Sequence, residues 1–283
     1  MKRFLAPLAL LALPFSLSAQ ELPASSPGAS VSQRIGLTDV TITYSRPSAK
    51  GRKVFGDLVP FGEVWRTGAN SCTVLETRNM LLINGQKLAP GKYSVFTVPG
   101  VDVWQVIFNS QTDLWGAMDR KPELDVLTLP KAITRPAQFT ETFNIGFESV
   151  SGDKAELVLS WEKLQVVVNI EAPSQDQAMA NIREALAKPD ADYRAYARCA
   201  SYCLDKGVET KSALEWAQKS VDLDKKYWNT FTLAKAQAAH SQFKEAAATG
   251  KEAVALAIAE KDSGAQKAYQ AKVDEWSGMA NGK

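Results

Sequence analysis

Histidine is almost missing. One residue, His240, serves a chain of 283, and it falls at a turn in the C-terminal part, where a surface position accounts for it. A Ser-His-Asp triad, a His-based acid/base pair and an HExxH zinc site are therefore excluded from everything upstream. No GxSxG, P-loop or GxGxxG pattern occurs. Cysteine is scarce too: Cys72, Cys199 and Cys203 are too few for a disulfide scaffold. Cys199 and Cys203 stand four apart in a helical pattern. They read as small buried apolar residues rather than as a bridge within one helix, whose geometry a regular helix supplies poorly. The acidic pairs Asp190/Asp192 and Asp222/Asp224 sit at helix edges without EF-hand spacing, so they read as caps, and no metal or cofactor is expected.

Long apolar runs are lacking after residue 17. The one stretch, Phe4 to Leu17, is interrupted by Pro7 and Pro14 and is too short to cross a bilayer. Lys2 and Arg3 precede it and Ser18-Ala19 follow. Charge, apolar stretch and small residues in that order are a secretory signal, with cleavage expected after Ala19 and a secreted or periplasmic product. No transmembrane segment would remain. An excess of one charge sign is also lacking. Cleavage removes two of the 33 basic residues and none of the 31 acidic ones, leaving a neutral mature chain. Broad nucleic-acid or anionic-membrane binding is not expected of it, although a local patch can still hold an anion.

What is present is ordinary globular material, 45% hydrophobic and 23% charged, in two textures. Residues 20–30 read as a flexible leader. In 31–172, Val40, Ile42 and Tyr44 alternate with threonines, and the stretch 79–83 runs into the hairpin signal Asn84-Gly85. Tyr93, Val95 and Thr97 share a parity, and 103–108 follows. Phe139, Glu141, Phe143, Ile145 and Phe147 share another; Ala155, Leu157, Leu159 and Trp161 follow the turn at 151–153, and Val166, Val168 and Ile170 close the region. Such alternation buries one face of a strand. Seven or eight strands separated by turns predict an antiparallel β-sandwich, with nothing in the pattern specifying barrel closure.

From residue 173 to 283 the period becomes helical. Ser174 to Gln177 has the form of a capping box. Helices are expected before Pro189, up to Gly207, and over 210–223, 226–239, 243–260 and 265–276. Ala213 and Ala246 lie 33 apart, and each is followed seven residues later by a small residue, Ser220 or Ala253. This spacing resembles the tetratricopeptide repeat, a stacked helix pair. The usual closing proline is replaced near Lys225, and the usual aromatic by Ala217 and Gly250. The overall fold class expected is thus α+β, a sandwich followed by a tetratricopeptide-like helical domain. Trp216, Tyr227 and Trp228 read as core residues. The tail is expected either to offer a groove to a peptide or envelope protein, or merely to pack against itself or the β-rich part.

Tyr44 to Asn70 is the segment richest in chemistry. It combines Arg46, Lys50, Arg52, Lys53 and Arg66 with Tyr44, Phe55, Phe61 and Trp65, punctuated by four glycines. Loops of this kind on a rigid sheet often carry binding sites. An arginine fork holds a carboxylate or phosphate, and a Trp ring stacks on a sugar or cation. Arg46, Lys50, Arg52, Trp65, Arg66 and Asn70 are the candidate ligand-binding residues, for a small anionic or carbohydrate ligand. The competing reading is an ordered loop whose arginines pair with Asp57 and Glu63.

The same residues carry a family resemblance. SRPSAKGRKVFGDLVPFGEVWRTGAN, the preceding VSQRIGLTDVTITYSRP and the later LSWEK are together similar to the domain-of-unknown-function family numbered 2911, over about residues 28–172. The recurring blocks fall on Ser45, Arg46, Pro47, Lys50, Gly51, Arg52, Phe55, Gly56 and Trp65 to Asn70, with a shorter one at Trp115-Gly116. The resemblance implies an exported bacterial protein and transfers no catalytic residue. Two classes of function follow from the residues. One is a non-catalytic ligand-binding or protein-interaction and scaffold protein of the envelope. The other is a carboxylate-dependent hydrolase acting on a glycan, with Asp57, Glu63, Asp113 and Asp119 as candidate acids.

Overall fold

The computed structural model describes residues 22–282, so the expected signal segment lies outside the described residues. The chain divides after Ser174 into two compact units.

The first unit holds β1 (Gly28–Ile35), β2 (Thr38–Ser45), β3 (Thr73–Thr77), β4 (Leu81–Ile83), β5 (Gln86–Leu88), β6 (Gly91–Val98), β7 (Trp104–Asn109), β8 (Asp125–Ser151) and β9 (Lys154–Glu171). They form one antiparallel sheet in the order β1-β2-β3-β6-β7-β8-β9-β4-β5. β8 makes the two layers possible. Its first part, to Ala132, pairs with β7, and from Ile133 onward it pairs with β9. The inner faces of both parts enclose a single core, with Ile42, Leu75, Trp104 and Phe108 from one side and Leu81, Ile83, Leu157 and Val168 from the other. Two faces packed on one core is the sandwich arrangement.

One end is pulled together further. Past the end of β2 the chain runs beside the far part of β8: Phe143 N donates to Pro47 O at 2.8 Å and Ala49 N to Glu141 O at 2.8 Å. The Tyr44 hydroxyl accepts from Ile145 N at 2.9 Å on the same seam. This local closure has no strand signature in the sequence, because its backbone is irregular around Pro47.

Two strands depart from simple alternation. In β6, Tyr93 to Thr97 are all buried, since a second apolar cluster of Cys72, Phe96, Ile107 and Leu114 covers the other face. In β8, register shifts between Pro136, Thr140 and Asn144 break the parity. Phe143 and Ile145 point inward while Phe139 is 56% exposed. The Asn84-Gly85 turn is formed as expected, both residues having positive φ, 47° and 81°, the geometry a two-residue hairpin demands.

The second unit holds α1 (Gln175–Ala187), α2 (Tyr193–Lys206), α3 (Thr210–Leu223), α4 (Tyr227–Ala239), α5 (Phe243–Ala259) and α6 (Ser263–Ala280). Ala213 and Ser220 on α3, and Ala246 and Ala253 on α5, are fully buried, so the 33-residue spacing marks equivalent close helix contacts. Gly250 makes another: a Cβ there would lie 2.6 Å from Val273 Cγ2 of α6. Cys199 and Cys203 are free and buried, and burial pushes both thiols above their ordinary pKa. Asp192 caps α2 by accepting from Ala195 N at 2.9 Å. Ser174 instead gives its hydroxyl to Asp153 at 2.8 Å. Trp216, Tyr227 and Trp228 are half-buried, Trp228 stacking on Tyr193 with centroids 5.7 Å apart.

Candidate functional site

The backbone of the Tyr44–Asn70 loop is held down at several points. Lys50 N donates to Glu141 Oε1 at 2.7 Å and Val54 N to Glu162 Oε1 at 2.9 Å. Trp65 exchanges two backbone hydrogen bonds with Thr97 of β6, at 2.8 and 2.9 Å. Lys50, Thr67, Asn70 and Glu162 adopt φ of 50–56°, a costly region for residues with a Cβ, and above all for β-branched Thr67. These contacts offset that strain. Thr67 is fully buried, and Thr73 Oγ1 donates to its carbonyl at 2.5 Å. Gly68 permits the close approach next to it, since a Cβ would meet Ser45 O at 3.0 Å.

Of the aromatic side chains of this loop, Tyr44, Phe55 and Trp65 turn inward, whereas Phe61 is 42% exposed. Trp65 stacks on Trp161 at 5.7 Å and meets Phe143 at 5.1 Å. Phe55 meets Trp104 at 4.9 Å and Trp161 at 6.1 Å, both edge-on. Trp161 is 2% exposed and donates its indole N–H to Glu141 O at 3.1 Å. Trp65 donates its own to Gly68 O at 3.0 Å. The five rings form one end of the main core.

The six sequence candidates therefore do different things. Arg46 donates from Nε to Phe143 O at 3.0 Å. Arg52 donates to Ala49 O at 2.9 Å and Ser48 O at 2.8 Å. Neither forms an ion pair with Asp57 or Glu63 among the described residues; backbone carbonyls take that place. The Lys50 side chain is exposed. Asn70 Nδ2 reaches Ser26 O at 3.1 Å and ties the loop to the chain before β1. Trp65 belongs to the ring cluster. Arg66, one residue on, projects to the opposite side of this extended segment, as alternation requires, toward the second cluster, where Cys72 feels its charge. There Cys72 Sγ donates to Gly116 O at 3.1 Å. Burial raises the Cys72 thiol to about 11, with Arg66 pulling weakly the other way.

Asp57, Glu63, Asp113 and Asp119 are all exposed. The carboxylates set against the loop are Glu141 and Glu162, which sequence reasoning passed over. Glu141 lies in a run read only for its parity, and Glu162 sits on β9 opposite the register shifts of β8, which strand alternation does not flag.

The helical unit contains a cleft of about 490 Å³ opening between α2, α4 and α6. Phe231, Tyr269 and Trp276 line it, with Leu204, Lys235 and Lys272. Phe231 and Tyr269 stack with centroids 3.7 Å apart and planes 8° from parallel. Lys235 pairs with Asp205 at 2.8 Å and Lys272 with Glu275 at 2.7 Å, all four side chains solvent-accessible. No helix among the described residues is long and apolar enough to cross a membrane.

The family model described as a protein of unknown function, DUF2911, matches residues 26–170. No curated protein and no solved structure matches the chain.

Proposed function

Because the chain belongs to the DUF2911 family of proteins of unknown function, a description that assigns no activity, we propose its function from the surfaces it builds. It is a non-catalytic protein-interaction module of the cell envelope, and the cleft between α2, α4 and α6 docks a peptide segment of a partner. The observation that carries this is the lining of that cleft: three aromatic rings flanked by two lysines, on helices of a stacked array. Aromatic walls suit an apolar anchor side chain, and helix-pair arrays commonly present such a concave face. The exposed Lys235–Asp205 and Lys272–Glu275 pairs are each worth under about 1 kcal/mol. A carboxylate on the ligand can exchange with either acid at small cost. The preferred partner segment is therefore acidic with an apolar or aromatic anchor. Export, expected from the N-terminal pattern, supports an envelope partner. The hydrolase reading has weaker support, since Glu141 and Glu162 each hold a backbone amide of the loop.

Fluorescence anisotropy with labelled peptides combining Asp/Glu with Phe or Trp tests this on the full chain. Saturable binding is expected, weakened roughly tenfold or more, about 1.4 kcal/mol, by the paired changes Lys235→Glu and Lys272→Glu, while basic peptides of equal hydrophobicity fail to bind. Binding that ignores the double reversal, or no saturable binding by any acidic-aromatic peptide, overturns the assignment.

A further inference from the structure

Arg66 is the cation in the β-rich unit whose surroundings are least complete. Its Nε is buried and has no hydrogen-bond partner. Its terminal nitrogens have no protein partner among the described residues either, and they are not among the buried unpartnered atoms. The reactive end of the fork therefore reaches solvent while its neck is enclosed. The neighbouring cation is in the opposite condition. Arg120 is engaged by the Asp125 carboxylate, which also accepts from Asn109 Nδ2 at 2.8 Å. Asp125 thus serves Arg120, and among the described residues no acid pairs with Arg66.

The loop beside Arg66 is built in the same unfinished way. A Cβ at Gly116 would lie 3.9 Å from Arg66 Nη1, so the backbone after Trp115 passes directly by the guanidinium. Cys72 fixes that backbone through its bond to Gly116 O, and Cys72 N donates to Leu114 O at 2.9 Å. Leu114 is buried in the second cluster, whereas Trp115 is 71% exposed and Met118 97% exposed. An indole exposed to water, one residue before the backbone that passes a half-enclosed guanidinium with no partner among the described residues, is an arrangement that a planar anion completes.

We propose that Arg66 and the Trp115–Gly116 segment form a binding site for a carboxylate carried on a flat apolar body, such as an arylacetate or an aromatic carboxylate. The two-pronged geometry of guanidinium and carboxylate provides the polar contact, made stronger by the partial enclosure. The Trp115 ring covers the apolar body. This site is on the β-rich unit and does not depend on peptide docking by the helical tail. It also differs from the one the sequence suggests: Arg66 works with Trp115, and the adjacent Trp65 takes no part.

Gly116 offers a direct test. Its φ lies outside the left-handed region, so a side chain is tolerated, and Gly116→Asp places a carboxylate next to Arg66 as an internal occupant. The full chain would be titrated with phenylacetate, followed by calorimetry and by the NMR signals of the arginine side chains, with inorganic phosphate as a second probe and Arg46→Gln as a control. The expected result is saturable phenylacetate binding. It weakens roughly tenfold or more in Arg66→Gln and in Gly116→Asp, stays unchanged in Arg46→Gln, and exceeds phosphate binding. Unchanged thermal unfolding of Gly116→Asp shows that the loss is not misfolding. No saturable binding by the wild-type chain, equal binding in all variants, or a phosphate response as strong as that to phenylacetate would overturn the proposal.

Discussion

Replacing Trp65 by Ala is expected to lower the stability of the β-rich unit by about 3–5 kcal/mol, the range for removing a large aromatic from a packed core. The ring touches Trp161, Phe143 and Phe55, and its N–H anchors the turn at Gly68. The change deletes the centre of a five-ring cluster and also leaves the Gly68 carbonyl without its donor. Trp65→Phe keeps a ring and loses the donor, so a smaller loss of about 1–2 kcal/mol is expected. Arg66→Gln, adjacent in sequence, should lie within about 0.5 kcal/mol of wild type, because no partner is lost. Urea titration of the β-rich unit's transition distinguishes these. Were Trp65 a ligand platform on an open loop, Trp65→Ala would leave the midpoint unchanged.

Asn229→Ala should be the most damaging polar change in the helical unit, at about 3 kcal/mol. Asn229 is fully buried at the start of α4. Its Nδ2 donates to Ser220 Oγ at 2.9 Å, Ser220 O at 3.2 Å and Asp224 O at 2.8 Å, and its Oδ1 accepts from Lys226 N at 2.8 Å. Ser220 Oγ continues the chain to Tyr193 O at 2.6 Å. One amide thus ties the end of α3, the turn after it and the first residue of α2. Removal leaves the Lys226 amide and the Ser220 and Asp224 carbonyls without this partner. Asn229→Asp keeps the acceptor, loses both donors and adds a charge, so it should be at least as severe. The exposed Gln218, bonded to Asp222 within its own helix, is the control, and Gln218→Ala should stay within about 0.5 kcal/mol. A similar small effect from Asn229→Ala would show that this network does not hold the three helices together.

The helices were readable because their punctuation is local. Gly207 takes the left-handed position that ends α2, with φ of 66°, and small residues at a fixed spacing mark close contacts that no larger side chain permits. β2 was readable because Val40, Ile42 and Tyr44 face a core on one side only. β1 was not, since Gly28, Ala29 and Ser30 fall in the stretch read as a flexible leader, and Ser32, Gln33 and Arg34 on this edge strand are polar. β8 as far as Pro136 was also missed: Pro130 and Pro136 argue against a strand, yet Pro130 lies within a register shift against β7 and Pro136 at the edge of one against β9.

The candidate segment was legible in part. Composition singled out a loop with close bends, because glycines and arginines around Trp65 mark such backbone, and Gly51, Gly56 and Gly62 take positive φ there. It did not reveal on which side of the sheet each residue would fall. Trp65 and Arg66 are neighbours in sequence and separate in space, an outcome decided by a two-residue pairing with Thr97 that carries no signature of its own. Trp104 and Trp161, which receive Trp65 and Phe55, come from strands far along the chain. The orphaned Arg66 emerges only once Arg46 and Arg52 are seen to be engaged by carbonyls.

The central claim is that the cationic, glycine-punctuated loop is pinned to β6, β8 and β9 with Phe55 and Trp65 set against the core, and is not a mobile flap. Amide hydrogen exchange of the native chain, resolved at Ala49, Val54 and Trp65, tests this most directly. All three N–H groups are bonded to acceptors on β6, β8 or β9. The account predicts protection comparable with that of Phe96 and Ile145 in the neighbouring strands. Exchange at these three amides as fast as at the exposed turn around Val101, while the strands stay protected, would contradict it.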